Sequence, residues 1–279
     1  MGIFEAPRQG IWRILSGRRS AGRRSAERTL IANELWSWAI AEHRIFRGID
    51  PADESRLREL ASQFLAMKRF DPLGSAEIDD RLKVSIASQA CLPLLGLDMS
   101  WYRDFSTIFL MPEAYTVTQR WEDKSGVVHE YDEELAGEAF DLGPVALSIP
   151  DVDASGWGEG YNTVIHEMAH KLDSLNGSCD GCPPLHRGMD PRMWRSIITE
   201  AWEDLNARLI ASSRGRRANR GRLKSRTRID PYAAESPEEF FAVACEYFWE
   251  KPAILIREYP AVFKQLKLFF RRDPSEWGV

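Results

Sequence analysis

Val164-Ile-His-Glu-Met-Ala-His170 is the stretch on which the reading of the whole chain turns. Four residues of helix sweep about 400°, so His166 and His170 project from nearly one face, one turn apart, and two imidazoles can grip the same ion. Glu167 then stands beside that ion rather than on it. Zinc takes neutral imidazole nitrogens at about 2.0–2.1 Å, and with one position left open it lowers the pKa of its water toward about 7. A neighbouring carboxylate can take that water's proton as general base and deliver it to a leaving amine. The apolar Val164, Ile165, Met168, Ala169 and Leu172 suit a buried helix, where two histidines without a ligand would be poorly satisfied. The competing reading is a pair of histidines that merely hydrogen-bond in a core.

A third ligand must come from elsewhere. Six residues after His170, where one branch of zinc proteases has another histidine, this chain has Asn176. Asp173 shares the helix and suits an outer partner or a cap better than a ligand, because tetrahedral binding wants an approach from another element. Tyr232-Ala-Ala-Glu-Ser-Pro-Glu-Glu-Phe-Phe-Ala-Val-Ala-Cys-Glu246 supplies the other candidates. Ser236 reads as an N-cap, Pro237 as the first helical residue, and the acids after it suit the positive end of the helix dipole. Glu239 shares an inward face with Ala242, Val243 and Glu246, whereas Glu238 points about 100° away. Glu239 leads on spacing, with Glu235 and Glu246 still open.

Around these segments the texture is α+β. Apolar spacing predicts helices within 30–46, over 61–67 after the acidic Asp53 and Glu54, over 76–89, and over 162–172, 193–210, 238–249 and 262–270. Short β-rich runs at 107–110, 115–118, 126–128 and 143–148, stopped by Pro112 and Pro150, predict a small antiparallel or mixed sheet flanked by helices. The expectation is one domain over residues 29–279, preceded by a basic, flexible arm at 1–28.

Composition narrows the function classes. With 279 residues, 44% hydrophobic and 28% charged, the chain is an ordinary globular one. No apolar run approaches the roughly 18 residues of a membrane span, and four scattered cysteines make no disulfide framework, so a soluble cytoplasmic protein with reduced thiols is expected. The net charge of −5 hides two basic islands. Residues 6–28 carry seven Arg against Glu27, and 214–228 carry seven Arg and Lys224 with no acid. The rest is strongly acidic, which disfavours a nucleic-acid-binding surface. Cys179-Asp-Gly-Cys182 reads as an inert two-thiol loop, with His186 leaving a structural-metal option.

The segments Gly160 to Asp173, the Asn-Gly…Pro-Pro-Leu loop to Leu185, and Tyr232-Ala-Ala…Pro-Glu-Glu-Phe-Phe-Ala-Val243 together resemble the Mlc titration factor A (MtfA) family of zinc peptidases. Ile86-Ala-Ser-Gln-Ala-Cys-Leu-Pro-Leu-Leu, Gly143-Pro-Val-Ala-Leu-Ser and the closing Asp273-Pro extend the likeness over most of 50–275, short of the arginine-rich arm. The resemblance implies a zincin-like fold of the gluzincin kind. It implies one Zn2+ on His166, His170 and Glu239, Glu167 as base and then acid, and Tyr232 as the hydroxyl that stabilises the oxyanion. It also implies aminopeptidase action on short peptides and an interaction with the repressor Mlc. The rival is a non-catalytic protein that titrates a repressor and keeps zinc only for its fold. A further expectation is that the run Gly143 to Ser148 pairs with an extended substrate as an added strand.

Overall fold

The computed structural model describes residues 30–113, 115–122, 128–135, 137–139, 143–218 and 227–277. The arm at 1–28 lies outside the described residues, as do 219–226 of the second basic island. Helices α1 (Asn33–Glu42), α2 (Pro51–Met67) and α3 (Asp80–Cys91) build the first part. Asp50 caps α2 by accepting from the Ala52 amide, with Pro51 in the first helical position where its missing N–H costs nothing. Asp79 caps α3 by accepting from Leu82 at 2.7 Å, so that helix starts later than the spacing from Ala76 predicts.

Strands β1 (Arg69–Pro72), β2 (Thr107–Met111), β3 (Tyr115–Glu122), β4 (Val128–Leu135), β5 (Gly137–Ala139) and β6 (Val145–Ser148) follow. The main sheet has the order β1-β2-β6-β5, with β1, β2 and β6 parallel and β5 antiparallel to β6; β3 and β4 pair separately as an antiparallel ribbon. The sheet is therefore mixed. All four residues of β6 are buried, the pattern of a strand covered on both faces. Its two edges are taken by β2 and β5, so the expectation that Gly143–Ser148 pairs with a substrate strand is wrong: Val145–Ser148 lies between two partner strands, and the outer strand on that side among the described residues is β5.

Beyond the sheet run α4 (Ile149–Ala154), α5 (Thr163–Asp173), α6 (Pro191–Ala218), α7 (Pro237–Glu250), α8 (Pro252–Glu258) and α9 (Pro260–Phe270). One continuous apolar cluster reaches from Ile31 to Trp277. Helix α5 lies inside it, with Val164, Ile165, Met168, Ala169 and Leu172 all buried, and packs on α7, α3 and β5. Helix α7 is apolar almost all round, and every residue from Phe240 to Glu250 is buried. The histidines of α5 and the glutamates of α7 thus face each other across a packed interface, where a misplaced polar group is costly. Gly160 sets the entry to α5. Its φ of +91° favours glycine, and a Cβ there would stand 2.7 Å from the Tyr247 ring of α7.

Candidate metal centre

Asn162 starts α5, its side chain accepting from the Ile165 amide at 2.9 Å, and the one-turn spacing then brings both imidazoles out on the side facing α7. Ser236 starts α7 in the same way, accepting from the Glu239 amide at 3.2 Å, which fixes the first turn that carries the carboxylate. His166 Nε2 lies 3.1 Å from His170 Nε2 and 3.1 Å from Glu239 Oε2, and His170 Nε2 lies 3.5 Å from Glu239 Oε1. His166, His170 and Glu239 form the cluster of potential metal-binding groups among the described residues.

These spacings suit a metal ion. Ligands about 2.0–2.1 Å from a tetrahedral zinc stand roughly 3.3 Å apart, close to the separations seen here. Two Nε2 atoms in contact can share at most one proton between them, and Glu239 Oε2 is buried without a well-aligned hydrogen bond. A cation among the three groups would satisfy all of them.

The electrostatics point the same way. Burial works to raise the Glu239 pKa, but the close approach of the His166 and His170 rings outweighs it and holds the carboxyl far below the usual range. Burial works to lower the His166 pKa, yet Glu239 on one ring nitrogen and Glu246 on the other push it well above the ordinary histidine value. The neighbourhood thus favours positive charge where two nitrogens and a carboxylate converge.

The outer contacts come from the same helices. Glu246 Oε1 faces His166 Nδ1 at 2.8 Å, and its Oε2 accepts from the Asn162 amide. The Asn162 side chain donates to Gln89 at 2.7 Å and to Glu250 at 2.8 Å. Glu250 also accepts from the Gly156 amide at 2.9 Å, and burial pushes its pKa up to about 7. His170 Nδ1 faces Cys179 Sγ at 3.6 Å.

Each sequence candidate can now be located. His166, His170 and Glu239 come together. Glu246, a rival ligand on spacing, instead holds the far nitrogen of His166, and Glu235 stays exposed outside the cluster. Asp173 lies outside the cluster and accepts from the Gly181 amide at 2.7 Å. Glu167 is buried on α5 beside His166. Tyr232 stands on the short turn Pro231–Ala234, held by its amide donating to Asp230 at 2.9 Å, with its half-exposed ring centred 5.8 Å from that of His166. His186 does not join the two thiols in a metal site: its Nε2 meets the Phe269 carbonyl at 2.8 Å and its ring stacks on Phe269. Sequence reading missed the network of Gln89, Asn162 and Glu250, whose one signal is Glu250 standing one turn beyond Glu246 on the inward face of α7.

No described helix is long and apolar enough to cross a membrane. The sequence matches the family described as "Glucose-regulated metallo-peptidase M90" over residues 17–271, reaching into the arginine-rich arm beyond the resemblance read from motifs. Mlc titration factor A of Salmonella gallinarum is 32% identical over 245 residues, covering 88% of this chain and 89% of that protein. The protein of the same name from Escherichia fergusonii is 31% identical over 239 residues, 86% of each chain. A histidine pair and a carboxylate at metal-binding separations thus occur in a chain that belongs to the glucose-regulated metallo-peptidase M90 family, together with the Mlc titration factor A proteins.

Proposed function

We propose that this chain is a zinc-dependent peptidase of the gluzincin type, with one catalytic domain over residues 29–279 that hydrolyses short peptides as an aminopeptidase. The observation that carries the reading is the convergence of His166 Nε2, His170 Nε2 and the Glu239 carboxylate at 3.1–3.5 Å. Bound zinc supplies a Lewis acid that holds and acidifies a water molecule. Every other function belongs to the chain. His166, His170 and Glu239 hold the ion, and the buried Glu167 takes the proton from the attacking water and returns it to the leaving amine. The Tyr232 hydroxyl donates to the negative charge that develops on the substrate's carbonyl oxygen, a contact stronger in the transition state than in the bound peptide. Four cysteines that form no disulfide among the described residues support a reducing, cytoplasmic setting.

The names of the relatives favour a second role, the titration of a Mlc-like repressor, with or without catalysis. Replacing Glu167 by Gln separates the two. Peptide hydrolysis should vanish while zinc content and repressor binding persist; hydrolysis that survives in Glu167→Gln would show that the base is misassigned.

A further inference from the structure

We propose that the Cys179 thiol is the positioning residue for His170, and that modification of this one thiol loosens the metal; the inference rests on the zinc centre proposed above. A histidine that offers Nε2 to a metal keeps its proton on Nδ1, and that N–H needs an acceptor to hold the ring in place. For His166 the acceptor is the Glu246 carboxylate at 2.8 Å. For His170 the group facing Nδ1 is Cys179 Sγ at 3.6 Å, within the longer reach of sulfur. The two histidines are thus supported unequally, one by a carboxylate and one by a thiol.

The thiol is held in that place from several sides. It hydrogen-bonds the wholly buried Asp173, one turn beyond His170 on α5, and the other end of the same loop returns to that carboxylate through the Gly181 amide. The Gly181 carbonyl accepts from the Trp194 indole at 2.7 Å. Gly181 has φ +76°, and a Cβ there would stand 2.6 Å from the Pro237 carbonyl. The loop therefore abuts the start of α7, two residues before Glu239, and cannot swing away without disturbing both walls of the centre. Cys179 is also the most accessible of the four thiols, because Cys91, Cys182 and Cys245 are buried. An electrophile such as iodoacetamide reaches it first. Its sulfur attacks the reagent's methylene carbon, the S–C bond forms as the C–I bond breaks, iodide leaves, and the thiol proton passes to solvent. The added group stands where His170 Nδ1 needs its acceptor.

The test is zinc affinity by competition with a chromophoric chelator, on the whole chain, alongside circular dichroism. Cys179→Ala should weaken zinc binding about 10- to 100-fold with an unchanged spectrum, and Cys179→Ser, which restores an acceptor, should recover part of the loss. Iodoacetamide mapped to Cys179 by mass spectrometry should release zinc from the wild type. Wild-type affinity in Cys179→Ala, or equal weakness in the Ala and Ser variants, would overturn the inference while leaving the zinc centre standing. A wild type that binds no zinc overturns the centre itself, and this inference with it.

Discussion

Glu246 meets Nδ1 of His166 at 2.8 Å from the same helix that brings Glu239 to the ring's other nitrogen at 3.1 Å. Seven residues are nearly two turns, so the two carboxylates lie on one face and grip a single imidazole from both ends. Glu246→Gln should therefore weaken zinc binding about 10- to 100-fold, and Glu246→Ala more, since it also removes the acceptor for the Asn162 amide. Competition with a chelator measures this. Equal affinities in wild type and Glu246→Ala would show that the contact does not orient the ligand.

A metal bound as proposed would compete with protons for His166. Its pKa in the metal-free protein is raised, so the ionic contacts to Glu239 and Glu246 stabilise that form fully below the unfolded histidine value and are lost as pH rises through the folded one. Glu239 has the opposite sign: its depressed pKa gives stability that is present above the unfolded carboxyl value and lost as pH falls through the folded one. Zinc must displace the proton from His166, so its affinity should rise with pH across neutrality, with about one proton released per ion. Calorimetry in buffers of different ionisation enthalpy counts that proton; a pH-independent affinity would contradict the expectation.

Tyr232 has an exposed edge and a ring close to His166, as a group that donates to substrate should have. Tyr232→Phe should lower kcat about 100- to 1,000-fold with zinc content and KM little changed. Wild-type turnover in this variant would remove the hydroxyl from the mechanism.

Two glycines separate backbone strain from crowding. Gly160 and Gly177 have φ of +91° and +92°, but a Cβ on Gly160 meets the Tyr247 ring whereas one on Gly177 meets nothing within 4 Å. Gly177→Ala should cost about 1–2 kcal/mol from the backbone alone. Gly160→Ala should cost more and shift α5 against α7. Urea unfolding of the two variants tests the order, and equal costs would mean that the Tyr247 ring gives way freely.

The candidate ligands are legible because they lie on helices with strong local signals. The His166–His170 spacing needs only the helical period, and Ser236-Pro237 marks a start that places Glu239 in the first turn, as observed. The division of labour between Glu239 and Glu246 was not legible, since a shared face does not say which ring nitrogen each carboxylate meets. Strand β1, Arg69-Phe-Asp-Pro72, lacks alternation and carries a proline; it becomes a strand through its parallel pairing with β2. The contact of Gln89 arises when a distant segment closes on the start of α5, and that of Cys179 when the loop after α5 folds back on it, neither of which a local pattern encodes.

Zinc content tests the central claim most directly. Elemental analysis of purified wild type beside Glu239→Ala should find one zinc per wild-type chain and a large loss in the variant, with chelator-reversible peptide cleavage tracking the metal. A wild type without zinc, or a Glu239→Ala protein that keeps its ion and its activity, would contradict the account.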